Sequence, residues 1–140
     1  MSGAPSVLLA FDYGTRRIGV AVGETVTRTA RPLGLVSVRR NRPDWAEVGR
    51  LIAAWRPARL VVGLPLTMEG EEQEASGGAR RFGRQLEGRF GLPVDLVDER
   101  LTTRVARQEM AEAGRGGHEP ADPLAAQLIL AGWLDAGGEP

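Results

Sequence analysis

The chain has 140 residues, 18 Lys+Arg against 18 Asp+Glu, a 42% hydrophobic share and no cysteine. That length holds one domain with a real core, the hydrophobic share excludes a disordered chain, and the lack of cysteine excludes disulfides, thiolate zinc sites and a cysteine nucleophile. Balanced charge gives no global field to attract polyanions, so any affinity for phosphate must come from local clusters.

Every basic residue is Arg. That is either a compositional bias or a supply of planar forks suited to phosphate oxygens. The clusters are Arg16-Arg17, Arg39-Arg40 with Arg42, Arg80-Arg81 with Arg84, and Arg100 with Arg104 and Arg107. Met1 to Phe11 lacks the basic and long apolar segments of a secretion signal. No apolar run approaches the ~20 residues that span a bilayer, so a soluble, cytoplasmic protein with no membrane partner is expected.

Val7–Tyr13 and Ile18–Gly23 read as strands joined by a turn at Gly14-Thr15-Arg16-Arg17, and the short spacing favours antiparallel pairing. Leu33–Val38 supplies a third strand after Pro32. Pro43-Asp44 opens a helix in which Trp45, Val48, Ile52 and Trp55 recur at helical spacing until Pro57 stops the run. Leu60–Leu64 is wholly apolar and ends at Pro65, as befits a central strand covered on both faces. A helix follows over Ala79–Phe90, with Phe82, Leu86 and Phe90 on one stripe, weakened by Gly83 and Gly88. Val94–Val97 returns as a strand. Helices are expected from Thr102 to Ala113 and from Pro123 to Leu134, the last apolar nearly all round except Gln127 and so buried. Glu69–Glu74 and Gly114–Ala121 read as loops. The sum is a hairpin-led α/β layer fold with a mixed sheet, one domain over residues 1–140.

Carboxylates stand at the ends of these elements. Asp12 ends the first strand, Asp98-Glu99 follows Val94–Val97, and Asp122 precedes the last helix. Clustered carboxylates repel and are costly to desolvate unless a cation neutralises them. With no cysteine and one histidine, the available ligands are oxygens, which favours Mg²⁺ or Mn²⁺ over Zn²⁺. Each acid also has a purely structural reading. Asp12 suits a turn, Asp98 or Glu99 can pair with Arg100, and Asp122 is a good N-cap, worth about 1 kcal/mol.

Four motifs carry a resemblance: F-D-Y-G-T-R-R-I-G-V-A-V-G at 11–23, V-V-G-L-P-L-T-M-E-G at 61–70, D-E-R-L-T-T at 98–103 and A-D-P-L-A-A-Q-L-I-L at 121–130. In this order, over Val7 to Leu134, they resemble the YqgF family, also called RuvX, the Holliday-junction-resolvase-like proteins of bacteria associated with pre-16S rRNA nuclease activity. The resemblance implies a ribonuclease H-like fold with a five-stranded mixed sheet, its second strand antiparallel, and helices on both faces. It places the active site on Asp12, Glu99 and Asp122, choosing Glu99 over Asp98. Where the family has L-N-M-D-G this chain has Leu66-Thr67-Met68-Glu69-Gly70, and Pro123 stands where a small residue is commoner. Neither departure touches a carboxylate.

The implied chemistry is metal-assisted hydrolysis of a phosphodiester by two Mg²⁺ or Mn²⁺ ions, Asp12 being their shared ligand and Glu99 and Asp122 holding one side each. Arg16, Arg17 and Arg81, where the family is also basic, and Arg100 beside Glu99 are the candidate nucleic-acid contacts. Arg84 suits a solvated helix face, and His118 a solvated loop. The expected substrate is precursor ribosomal RNA, with branched DNA as the alternative. Junction cleavage would call for a symmetric dimer, and the sequence leaves monomer and homodimer open. Two other classes compete. Asp12-Tyr13-Gly14-Thr15 also resembles the phosphate loop of actin-like ATPases and sugar kinases, which need two such domains. A non-catalytic RNA-binding module could keep the same fold.

Overall fold

The computed structural model describes residues 6–65, 69, 71, 74–98 and 121–137, the side chains of 74 and 75 excepted. Its centre is β1 (Val7–Asp12), in which Leu8, Leu9, Ala10 and Phe11 have no solvent exposure. A strand can be apolar at consecutive positions only when both faces of the sheet are covered. β2 (Arg17–Glu24) returns antiparallel beside it, and β5 (Arg59–Leu64) lies parallel on its other side. With β3 (Thr29–Arg39), β4 (Arg42–Pro43) and β6 (Val94–Asp98) they form a six-stranded sheet in the order β4-β3-β2-β1-β5-β6. β1, β5 and β6 run the same way, so their carboxyl ends share one edge.

The period-two alternation of side chains divides the core. Leu9 and Phe11 of β1 and Leu60, Val62 and Leu64 of β5 face one layer, where they meet Val48 of α1 (Trp45–Trp55) and Phe82 and Leu86 of α2 (Glu74–Phe90). Leu8, Ala10, Val61 and Val97 face the other, against Ile129, Leu130, Trp133 and Leu134 of α3 (Pro123–Asp135). The first layer is dominated by aromatics. The Phe82 ring lies 5.5 Å from Phe11, 5.3 Å from Tyr13 and 5.6 Å from Trp45. Such pairs add directional attraction to the burial of apolar area.

Several expectations are corrected. The sheet has six strands rather than five, because Arg40 (φ 51°) and Asn41 (φ 62°) turn the chain back into the short strand β4. Consecutive left-handed residues match the twist of a two-residue hairpin. Pro43 therefore ends a strand, and Asp44 caps α1 by accepting the Glu47 N–H at 3.2 Å. β3 begins at Thr29 rather than Leu33 and contains Pro32, which is tolerated because the β2–β3 register shifts beside it. α2 starts at Glu74 rather than Ala79, with buried Ser76 donating to the Pro65 carbonyl. α3 buries Ala126, Ile129, Leu130, Trp133 and Leu134, but Leu124 and Leu128 on its outer side are only partly buried. The helix expected at 102–113 and the loop residues 114–120 lie outside the described residues.

Phe82→Ala should destabilise the protein by about 3–5 kcal/mol through lost transfer energy and the cavity left among three rings. Urea unfolding checks this, and a cost under about 1 kcal/mol would show that the aromatic layer is not the core.

Candidate active site

Asp12 is the last residue of β1 and has the parity of Leu8 and Ala10, so it belongs to the α3 face. Its register partner across the antiparallel pair is Gly19. On that face β2 presents Gly19, Ala21 and Gly23, a row with almost no side chain. The backbone of α3 can therefore come down onto the strand. A Cβ built on Gly19 would fall inside the contact distance of the Asp122 carbonyl and lie 2.8 Å from Pro123 N. One on Gly23 would stand 2.7 Å from Leu130 Cδ2. The start of the helix rests on bare backbone, beside Asp12.

Two acidic residues 110 positions apart in the chain meet there. The Asp122 backbone N–H donates to Asp12 Oδ2 at 3.2 Å. Asp122 is itself the N-cap of α3, with extended backbone (φ −150°, ψ 166°) and Oδ1 accepting the Ala125 N–H at 2.8 Å. Pro123 follows at the first helical position, where its missing N–H costs nothing and its fixed φ suits the helix. Each acid thus has one oxygen aimed by a backbone amide.

The Gly14–Arg17 turn closes against the same segment. Arg17 Nε donates to the Ala121 carbonyl at 2.9 Å, and a Cβ on Gly14 would lie 2.9 Å from Ala121 Cβ. Part of the Arg17 fork is therefore committed to holding the chain just ahead of Asp122. Arg16 is exposed, and Arg81 is exposed on α2, the helix layer opposite α3.

β6 brings the third strand end to this edge, with Asp98 opposite Leu64. Its odd positions face α3: Val97 joins that core and Asp95 Oδ2 accepts the Trp133 indole N–H at 2.9 Å. Its even positions face α2, where Val94 and Leu96 approach Gly83. Asp98 has the parity of the α2 face, opposite to that of Asp12. Glu99 and Arg100, the predicted site residues next in sequence, lie outside the described residues. Among the described residues no group of three potential metal-ligating side chains comes together, and Asp12 is joined to Asp122 through the latter's backbone amide. The sequence reading overlooked Gly19 and the Ala121 carbonyl. Small residues at alternate positions in I-G-V-A-V-G were the available signal for the first, and nothing marked the second.

The family model described as RuvX, Holliday junction resolvase, matches residues 6–136. Similar proteins bear the name "Putative pre-16S rRNA nuclease". That of Azotobacter vinelandii is 53% identical over 96% of both chains. That of Pseudomonas putida is 51% identical over 93% of this chain and 95% of its own. That of Hydrogenovibrio crunogenus is 44% identical over 93% and 94%. Among solved structures, Thermus thermophilus RuvC in complex with a Holliday junction substrate has a TM-score of 0.56 at 21% identity, covering 94% of this chain and 96% of that one. Fowlpox virus resolvase with Holliday junction DNA has a TM-score of 0.53 at 11% identity, covering 95% and 99%. The fold is the mixed-sheet, ribonuclease H-like fold of these resolvases.

Gly19→Ala should cost about 1–3 kcal/mol by overpacking and should shift the Asp122 amide resonance, because the added methyl lifts the helix start from Asp12. Gly34→Ala, whose Cβ would meet nothing within 4 Å, should leave both unchanged. Thermal unfolding and amide NMR check the pair, and equal responses would mean that the seat of α3 is not tight.

Proposed function

The chain belongs to the RuvX family, and we propose that it is a metal-dependent endonuclease in which Asp12, Glu99 and Asp122 form the catalytic site. The observation that carries this reading is the hydrogen bond from the Asp122 amide to the Asp12 carboxylate at the carboxyl edge of the parallel strands. In open α/β sheets that edge is where ligands bind. The identity of 44–53% with proteins named for pre-16S rRNA supports the precursor of 16S ribosomal RNA as substrate; that it is processed at its 5′ end, in the cytoplasm, by one domain over residues 1–140 belongs to the proposal. The family description makes junction DNA the second substrate to test.

The donor set fits hard divalent cations. The chain has no cysteine and a single histidine, and oxygen-only sites suit Mg²⁺ or Mn²⁺. Asp12, at the end of the central strand, would hold such ions together with Glu99 and Asp122. The family resemblance favours Glu99 over Asp98, and Asp98, the last residue of β6, has the parity of the α2 face, opposite to that of Asp12. Ions bound there would supply Lewis-acid chemistry, acidifying water and stabilising charge on the leaving oxygen. The chain's own contribution is placement. The Asp122 amide orients Asp12, the Ala125 amide orients Asp122, and Arg17 holds the backbone between the turn and the helix. Arg16, Arg17, Arg81 and Arg100 hold substrate phosphates, which positions a strand without reading its bases. No helix among the described residues is long and apolar enough to cross a membrane.

Asp12→Asn should keep the fold and abolish divalent-ion-dependent cleavage of labelled precursor RNA and of a four-way DNA junction. The comparison of the two substrates identifies the natural one. Cutting at the wild-type rate by folded Asp12→Asn would remove this residue from the reaction.

Added Mg²⁺ or Mn²⁺ should raise the wild-type melting temperature, by the equivalent of about 2.7 kcal/mol at a hundred times the dissociation constant. The shift should shrink in Glu99→Gln and in Asp122→Asn, where Asn keeps the helix cap, and should persist in Asp98→Asn. Dependence on Asp98 with indifference to Glu99 would reverse the assignment. Equal shifts in all variants would place the ions elsewhere.

A further inference from the structure

The Arg39-Arg40-Arg42 cluster has no part in the site described above, yet the sheet brings it to the same edge. β1 rises to Asp12, β2 starts beside it at Arg17, and β3 rises again to end at Arg39. Asp12 pairs with Gly19, Gly19 with Leu35, and Arg39 stands beyond Leu35 on β3. The hairpin tip therefore projects past the edge that carries the carboxylates. Strand spacing puts β4 roughly 14 Å from β1, and strand rise puts Arg39 about 13 Å above Leu35, a diagonal of roughly 20 Å.

The face is also the same. Leu35, Ser37 and Arg39 alternate with buried Val36 and Val38, so they share the side of Gly19 and Asp12, and Arg42 pairs directly with Arg39. Leu35, Ser37, Arg39, Arg40 and Arg42 are all exposed. α3 starts beside Asp12 and leads away over Ala30, where the Gln127 amide donates to the Ala30 carbonyl, so among the described residues α3 does not extend over this end of β3. Exposed Arg16 bridges the interval, its carbonyl accepting the Val38 N–H at 3.0 Å. The nearby acid, Asp44, is occupied in capping α1. The ion pairs seen among the described residues, Arg50–Glu47 and Arg59–Asp95, involve none of these arginines.

The turn itself is strained. Arg40 has φ 51°, where a residue with a Cβ is disfavoured and Gly or Asn is usual. Arg28 and Arg56 are left-handed too, so strain alone says little. What distinguishes Arg40 is that its strain keeps a third guanidinium at the tip of a hairpin beside a carboxylate site.

We infer that Arg39, Arg40 and Arg42, continued by Arg16, form a second phosphate-binding ridge that holds the nucleic-acid backbone of the substrate away from the cut. This rests on the nuclease reading. At roughly 20 Å it would engage phosphates about six base-pair steps from the scissile bond, taking a rise of ~3.4 Å per step. The ridge positions substrate and reads no sequence.

The test measures binding of precursor RNA and of a four-way DNA junction to the full chain carrying Asp12→Asn, over a range of salt. Adding Arg39→Gln, Arg40→Gln and Arg42→Gln together should flatten the slope of log affinity against log salt by about 2 for single-stranded RNA or about 2.7 for duplex DNA, three lost contacts in each case. Lys at all three positions should restore the slope. Arg56→Gln, at the exposed C-cap of α1 that leads into β5 at the far end of the sheet, should leave it unchanged. Arg40→Gly should raise the melting temperature by about 3 °C while weakening binding several-fold, a split that a purely structural turn would not show. An unchanged slope in the triple Gln variant overturns the ridge. A flattened slope in a protein that still cuts with Asp12→Asn keeps the ridge and overturns the active site. Failure of the starting protein to bind either nucleic acid overturns both.

Discussion

The close approach of a helix start to a strand with no side chain is the constraint on which the rest of the site depends. Asp122 reaches Asp12 only because Gly19 leaves its backbone bare, and any Cβ there would collide with the Asp122 carbonyl. Everything nearby conforms to that contact. Ala21 and Gly23 continue the shallow track beneath α3, Pro123 starts the helix without an amide to satisfy, and Arg17 ties down the Ala121 carbonyl. The apolar mass of α3, anchored by Ile129, Leu130 and Trp133, supplies the burial that keeps the helix in place. An acid cluster is electrostatically unfavourable without a cation. Here backbone hydrogen bonds and packing contribute to holding its geometry.

Much of this was legible in the residues. Apolar runs without alternation marked β1 and β5 as central strands, and Trp45, Val48, Ile52 and Trp55 marked α1. Asp12 and Asp122 were recognisable as acids at element ends, and the four motifs carried the family. Other features depend on contacts that no local pattern encodes. β4 was missed because Arg40 in a left-handed turn does not look like a hairpin residue. The early start of α2 was missed because Ser76, Gly77 and Gly78 argue against helix locally, while tertiary contact overrides them. Gly19 looks like any strand glycine until α3 is placed over it.

Side-chain alternation along β6 sets Asp98 by its parity on the α2 face, opposite to Asp12. Once Val97 and Asp95 are seen against α3, and Val94 and Leu96 against α2, the two parities belong to different faces of the sheet. The same alternation sets Arg39 and Arg42 on the face of Asp12. A chain with no net charge can in this way separate a negative pocket from a positive flank along one sheet edge. Acids would hold cations at the point of cleavage, and arginines would hold the flanking phosphates.

The central claim is that Asp12 and Asp122 are joined to bind divalent ions. Anomalous diffraction from crystals soaked in Mn²⁺ tests it most directly. The account predicts anomalous peaks in contact with the Asp12 carboxylate and flanked by Asp122, and their absence from Asp12→Asn crystals treated alike. Peaks confined to other acids, or none at a saturating concentration of the ion, would contradict it.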